Sequence, residues 1–371
     1  MIPRPSPRAR AAQWLLLLGV VAAGWYLGTN AADNLAARNM GSGFGFLGNT
    51  ANFDIPFKLI PWSDEDTYGR ALIVCTLNTL LVSALSIVLA TVLGLIVGIM
   101  RLSVNWLVRN LALGFIELIR NTPLLVQIVF WYVAVLQTLP PPRQSIVLPG
   151  GLLLNIRGLY LPSIDMGPHG GTLVLLLVPL LAATPFVWRF PLRGRRIGAW
   201  ALAAPVPALV ALAGCIRHVD FPVMRGFNIA GGVQVPPELA ALWAGLSIYG
   251  AAFIAEIVRA AIVSVPKGQR EAALSLGLRP GQVLRKVVLP QALRVMVPPL
   301  TSQYLNIIKS SSLGAAVAYP ELFQIFAGTV LNQSGREIEV IVILMVIFLA
   351  ISLATSAFMN WYNHHVALVE R

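Results

Sequence analysis

The feature that most constrains this chain is a series of apolar runs, each about 20 residues long or longer, separated by shorter stretches into which most of the charges are gathered. A run of that length crosses the hydrocarbon core of a bilayer as an α-helix, because lipid offers backbone N–H and C=O groups no partner outside a helix or a closed barrel. The runs do not alternate between polar and apolar residues as barrel strands do. Eight spans are expected, near residues 11–29, 71–99, 116–138, 171–188, 197–216, 239–262, 292–314 and 337–360. With 57% hydrophobic residues, 11% charged residues and a mean hydropathy of +0.75, the chain fits no water-soluble domain. The expected fold is all-α: a polytopic membrane helix bundle of about eight transmembrane helices.

The net charge of +12 does not point to nucleic acid, because the cations are divided among separate short loops. Placing the N-terminus inside puts 18 of the 27 Lys and Arg on the cytoplasmic side and nine on the other, as the positive-inside rule requires. Both termini are then cytoplasmic. The opening "MIPRPSPRAR" and the apolar run after it read as an uncleaved first span, since the run is long and no A-x-A site follows it.

Residues 30–69 form an external segment with the glycine-rich "GSGFGFLGNTANFDI". No flanking strand and no G-x-x-x-x-G-K-[ST] accompanies those glycines, so a compact loop is expected rather than a phosphate cradle. Residues 139–170, rich in proline, are expected to be an irregular external connection. Cys75 and Cys215 fall inside spans, as small apolar packing residues. His169, His218, His364 and His365 make no metal-ligand or nucleophile–base arrangement, so no enzyme activity and no metal or bound cofactor is expected.

One stretch stands apart. Residues 271–290, "EAALSLGLRPGQVLRKVVLP", lie between two apolar runs, on the cytoplasmic side. A first short helix is expected over residues 267–276, closed by Gly277, which tolerates the left-handed conformation that ends a helix. Pro280 suits the first turn of a second helix. There Val283, Leu284, Val287 and Val288 form one apolar stripe, with Arg279, Arg285 and Lys286 opposite and Pro290 marking the passage into the next span. On periodicity alone this is a bent amphipathic element that could equally lie on the lipid surface.

The spacing Glu271-Ala272-Ala273, three residues, Gly277, nine residues, Val287-x-Leu289-Pro290 resembles the EAA loop of permease subunits of binding-protein-dependent ABC importers, with Val287 where Ile is commonest. That resemblance implies that Glu271, Ala272, Ala273, Gly277, Val287, Leu289 and Pro290 couple the chain to a cytoplasmic ATPase subunit. It implies loss of transport in Glu271→Lys by charge reversal, and in Gly277→Arg by bulk at the bend. "ELIRNTPLLVQIVFWY", "AAFIAEIVRAAI" and "LNIIKSSSL" resemble polar amino-acid permeases of this superfamily, and "SGFGFL" is similar to the long subunits of general L-amino-acid importers.

The resemblance implies a five-helix type I permease core made of the second, third, sixth, seventh and eighth spans. It divides the chain into a first helix and external loop (1–68), core helices (69–140), external loops with an inserted hairpin (141–237), and core helices with the coupling loop 264–290 (238–371). The implied setting is the bacterial inner membrane. The implied partners are ATPase subunits that hydrolyse the ATP, a second permease subunit that is a copy or a relative, a periplasmic amino-acid-binding protein, membrane lipid and the amino-acid substrate.

Ionisable groups within spans mark function or structural pairing. Glu117 and Arg120 in the third span, and Glu256 and Arg259 in the sixth, are three apart and can pair on one helix face. Pro298-Pro299 is expected to kink the seventh span, beyond which Ser302, Asn306 and Lys309 form a polar stripe. Arg120, Gln127 and Trp131 are expected to share a face of the third span. Such stripes either hydrogen-bond neighbouring helices or, as Arg120, Gln127, Glu256, Arg259, Asn306 and Lys309, line or gate a path for a zwitterion. A self-contained ion-coupled carrier or channel, with Glu117 and Glu256 as ion sites, is the alternative of a different class.

Overall fold

The computed structural model describes residues 7–37, 43–165, 218–226 and 228–366. The expected hairpin of spans over 171–188 and 197–216, with Cys215 and His169, lies outside them. Among the described residues, four helices are long and apolar enough to cross a membrane: Ala11–Asn30, Tyr68–Met100, Pro237–Ser264 and Glu337–Asn363. A fifth is reached only if the pair Trp106–Asn121 and Leu124–Leu136 is one span bent by 105°. The expected eight are therefore not reached there. The seventh, now helix Leu289–Ser310, has the length but not the composition, because it carries Gln291, Arg294, Gln303 and Lys309.

The helices are α1 (Pro7–Ala37), α2 (Tyr68–Met100), α3 (Trp106–Asn121), α4 (Leu124–Val129), α5 (Pro237–Val263), α6 (Lys267–Ser275), α7 (Pro280–Val283), α8 (Leu289–Ser310), α9 (Leu331–Ser334) and α10 (Glu337–Val366). The chain divides into two compact units, one of Met1–Leu113 with Gly250–Arg371, the other of Gly114–Tyr249.

In the first unit α2 starts at Thr67, whose hydroxyl caps the helix by accepting the N–H of Arg70 at 3.3 Å. Its buried face is a run of small residues, Ala71, Cys75, Thr79, Ser86, Ala90, Gly94 and Gly98, which lets another backbone approach. The approach is close: a Cβ on Gly98 would lie 2.7 Å from the carbonyl oxygen of Ala255 in α5. Of the loop expected over residues 30–69, α1 takes the start, running on to Ala37, and the part from residue 43 is compact, as anticipated. A 3₁₀ turn at Phe44–Gly48 sends Phe46 into a core with Ile55, Trp62, Val74, Phe326 and Ile343, and the Gly43 N–H donates to the Glu339 carboxylate at 2.8 Å.

The same core holds a turn at residues 319–324, of which 319–322 are buried. The Asn78 amide donates to the carbonyls of Phe57 and Pro320, both at 2.8 Å, and the Leu322 N–H donates to the Thr79 hydroxyl at 3.0 Å. Glu321, fully buried, accepts the N–H groups of Phe323 and Gln324 at 2.8 and 2.6 Å and so caps the helical segment that follows. Burial pushes its carboxyl up to about 7, against the lowering effect of those hydrogen bonds.

In the second unit the expectation of an irregular connection over 139–170, and of an all-α fold, is corrected by short strands. β1 (Ile146–Leu148), β2 (Leu152–Asn155), β3 (Gly158–Leu161) and β8 (Val233–Val235) form one antiparallel sheet in that order. Two two-stranded ladders pair β4 (Ser163–Asp165) with β5 (His218–Asp220), and β6 (Val223–Arg225) with β7 (Asn228–Ala230). Gly151, at φ 75°, belongs to the tight turn between β1 and β2, a conformation that glycine adopts without strain. The Tyr132 hydroxyl donates to Glu238 of α5 at 3.1 Å, and a Cβ on Gly245 would meet Ile128 at 2.6 Å.

Candidate functional site

The insert between α5 and α8 is built by local signals. The 27-residue helix α5 ends at Val263, and Pro266, with its fixed φ of −54°, starts α6. The close of α6 is a Schellman motif: Leu278 N–H donates to Ala273 O at 3.3 Å, Gly277 N–H donates to Leu274 O at 2.9 Å, and Gly277 stands at φ 79°. This is the bend expected at Gly277, but the reason differs. Nothing lies within 4 Å of where its Cβ would be, so backbone conformation rather than crowding demands glycine. Within the chain itself, no crowding stands behind the effect expected of Gly277→Arg.

The second helix opens at Pro280, where the Arg279 N–H donates to the Gln282 side chain at 3.0 Å. A π-helical turn at Leu284–Val288 carries it into α8 without a gap, so Pro290 lies inside a continuous helix rather than at a passage between two. Of the expected apolar stripe, Val283 and Val288 are buried and Val287 half-buried, while Leu284 is 36% exposed; Arg279, Arg285 and Lys286 are exposed.

The motif residues divide by exposure. Ala273 is buried in one apolar cluster with Val283, Val288, Ala292, Met296 and Ile254, which joins the insert to α5 and α8 as a packed body. Glu271, Ala272 and Gly277 face outward, Leu289 is half-buried and Pro290 exposed. Beside Glu271, Leu274 and Leu276 are 48% and 82% exposed. These two leucines were not singled out from sequence. Their signal was the absence of any apolar partner on the far side of so short a helix. An exposed charge with two exposed leucines at one short helix is the chemistry on which proteins dock.

Along the helices, Arg259 and Glu256 pair as their spacing suggested, with the guanidinium donating to both carboxylate oxygens at 2.5–3.0 Å. Glu117 accepts from Asn121 at 3.3 Å, and Arg120 is exposed on α3. The expected common face of Arg120, Gln127 and Trp131 does not exist. Pro123 forces extended backbone on its neighbourhood, the chain bends by 105°, and Arg120 lies on one arm with Gln127 and Trp131 on the other. Gln127 is buried and holds the bend, donating to the carbonyls of Ile119 and Thr122 at 2.9 and 3.0 Å. On α8 the stripe does exist: Ser302, Asn306 and Lys309 are all exposed, in line with Pro299. Helix α8 continues through Pro298 and Pro299, which leaves two carbonyls of the preceding turn without their helical donors.

The chain is similar to other proteins over nearly their full length. AapQ of Rhizobium johnstonii, a general L-amino acid transport system permease protein, is 46% identical over 99% of this chain and 94% of its own. BztB of Rhodobacter capsulatus, a glutamate/glutamine/aspartate/asparagine transport system permease protein, is 40% identical over 96% of this chain and 92% of its own. YhdX of Escherichia coli strain K12 is 48% identical over 99% and 96%. The fold is similar to that of a chain in the crystal structure of an amino acid ABC transporter with histidines, at a TM-score of 0.51 and 20% identity over 80% of this chain and 95% of that one. Residues 90–367 match the family described as binding-protein-dependent transport system inner membrane component. With three quarters of its length matched by that family, and an EAA-type insert packed onto its helices, the chain belongs to the binding-protein-dependent inner-membrane transport components.

Proposed function

We propose that this chain is a permease subunit of an ATP-driven importer that moves amino acids across the bacterial inner membrane, with both termini in the cytoplasm. The observation that carries the reading is the split of the motif: Ala273 is rooted in the core of α5 and α8, while Glu271, Leu274 and Leu276 project. A cytoplasmic ATPase docking on that face would move α5 and α8 with it. The near full-length likeness to AapQ and BztB supports amino acids as the cargo. The chain binds no cofactor and catalyses nothing itself; ATP is hydrolysed by the ATPase partners. A second permease subunit completes the path, and a periplasmic binding protein delivers the substrate.

In this reading the exposed stripe of Asn306 and Lys309 faces the water-filled path, because an amide and an ammonium in lipid would cost several kcal/mol each (about 2.5–3.5 for lysine at mid-bilayer). Glu256 and Arg259 act as a gate or as packing on α5. In the second unit Arg120 and Gln127 act around the bend, Gln127 by holding it.

The test is co-purification in mild detergent with the ATPase subunits, native chain against Glu271→Lys. Stoichiometric ATPase with the native chain, lost or uncoupled in the variant, is the expected result. A native chain that runs alone and transports without ATP overturns the reading in favour of an ion-coupled carrier.

A further inference from the structure

Where α5 ends and α8 begins, the first unit holds a cavity of about 610 Å³, within the range of ligand sites. Its polar lining is Ser264 after α5, Gln269 of α6, Lys286 of the π turn, and Gln291 and Arg294 of α8; Val265 and Val295 supply apolar wall. Two cations and two amides thus converge on one opening, at the level where the apolar stretch of α5 stops, Ser264 being its last residue.

We infer that this cavity binds the phosphate-bearing headgroup of an anionic phospholipid from the leaflet on the side of the insert. Three observations combine. A phosphodiester accepts hydrogen bonds only, and the cavity offers donors from Lys286, Arg294, Gln269 and Gln291, with no carboxylate in its lining. The position is at the end of a span, where a headgroup lies. Val295 of α8, 49% exposed and part of the lining, gives the cavity an apolar surface along which acyl chains would leave. A soluble anion needs no such apolar exit. The bound lipid would brace α6 against α8 and hold the insert at a fixed angle to the bilayer.

The test measures lipid retention by native mass spectrometry of the full chain in detergent, titrated with phosphatidylglycerol, phosphatidylcholine or inorganic phosphate. The native chain is expected to retain one phosphatidylglycerol in preference to phosphatidylcholine, without competition from millimolar phosphate. Lys286→Gln with Arg294→Gln should weaken retention about thirtyfold, from about fivefold per cation at a membrane surface. Arg270→Gln, on α6 and outside the cavity, should change little beyond diffuse attraction. Val295→Trp keeps both cations and puts bulk into the lining, and it should also lose the lipid. Equal retention of the zwitterionic lipid, displacement by phosphate, or a Val295→Trp chain that binds as the native one does would each overturn the proposal. Should the double variant misfold, Val295→Trp and the competition series decide alone.

Discussion

A Cβ placed on Gly94 of α2 would lie 2.6 Å from both Cβ and Cγ2 of Ile254 in α5, with the Ala251 carbonyl oxygen at 3.0 Å. Atoms of that kind cannot give way, because Ile254 Cβ is fixed to its backbone. Gly94→Ala should force the helices apart and cost about 1–3 kcal/mol, the usual price of overpacking. Thermal unfolding in detergent measures it. Ile254→Ala should not restore the loss, since the offending Cβ remains.

Gly277 distinguishes conformation from space. At φ 79° with nothing within 4 Å, alanine there has room but the wrong backbone preference, so Gly277→Ala should cost about 1–2 kcal/mol locally. Gly277→Asn should cost much less, because asparagine visits the left-handed region readily. ATPase stimulation by the two variants should fall in the same order; equal failure of both would mean that side-chain bulk matters after all.

The Glu256–Arg259 pair is about one-third exposed on each side, so its worth is moderated by its surroundings. Glu256→Gln leaves a guanidinium in a span without its bidentate partner and should lower stability by roughly 1–3 kcal/mol. The exchange Glu256→Arg with Arg259→Glu should recover part of it. A double-mutant cycle read by thermal unfolding gives the coupling directly.

Lys309 and Asn306 stand exposed, so replacing them should leave packing intact. Lys309→Met and Asn306→Ala are expected to lower substrate uptake in reconstituted vesicles by about tenfold, about 1.4 kcal/mol of barrier, while unfolding temperatures stay within a degree or two of the native value. Unchanged uptake and substrate range in both would remove the stripe from the path.

The buried carboxyl of Glu321 makes stability depend on pH. Its pKa, raised to about 7 by burial, exceeds the unfolded value of about 4.3, so between the two the folded chain keeps a proton that the unfolded chain has lost. Stability from this group is complete below about pH 4, declines as pH rises through 7, and is flat above. Glu321→Gln should flatten that slope while its side-chain oxygen still accepts an N–H from Phe323 or Gln324. Unfolding measured from pH 4 to 8 is the check.

How much could be read from sequence depended on how local the cause was. The insert was legible because Gly277, Pro280 and the spacing of Ala273, Val283 and Val288 act within a few residues of one another. The bend at Pro123 carried a local signal too, but an apolar run on both sides hid it, since hydropathy is blind to direction. The strands were missed because each is three or four residues long and finds its partner far away, as Leu159 does in Val235. Helix α8 was legible as a helix with a polar stripe, but Gln291, Arg294, Gln303 and Lys309 leave it less apolar than the spans beside it. The buried turn around Glu321 depends on Asn78 and Thr79, more than 240 residues upstream, and nothing in either stretch announces the other.

The seating of the Phe46 loop sets an order of events during synthesis. Gly43 bonds to Glu339, 296 residues later, and Tyr68 to Gln333, 265 later, so the ribosome has made the apolar face of this loop long before its partners exist. At about 5–20 residues per second, that interval is roughly 15–60 s. For this time Phe46, Ile55 and Trp62 have only α2 to shelter against. The arrival of α10 is therefore the step that ends the chain's most vulnerable period. Variants that slow its insertion should be lost to proteolysis before they are ever missed as transporters.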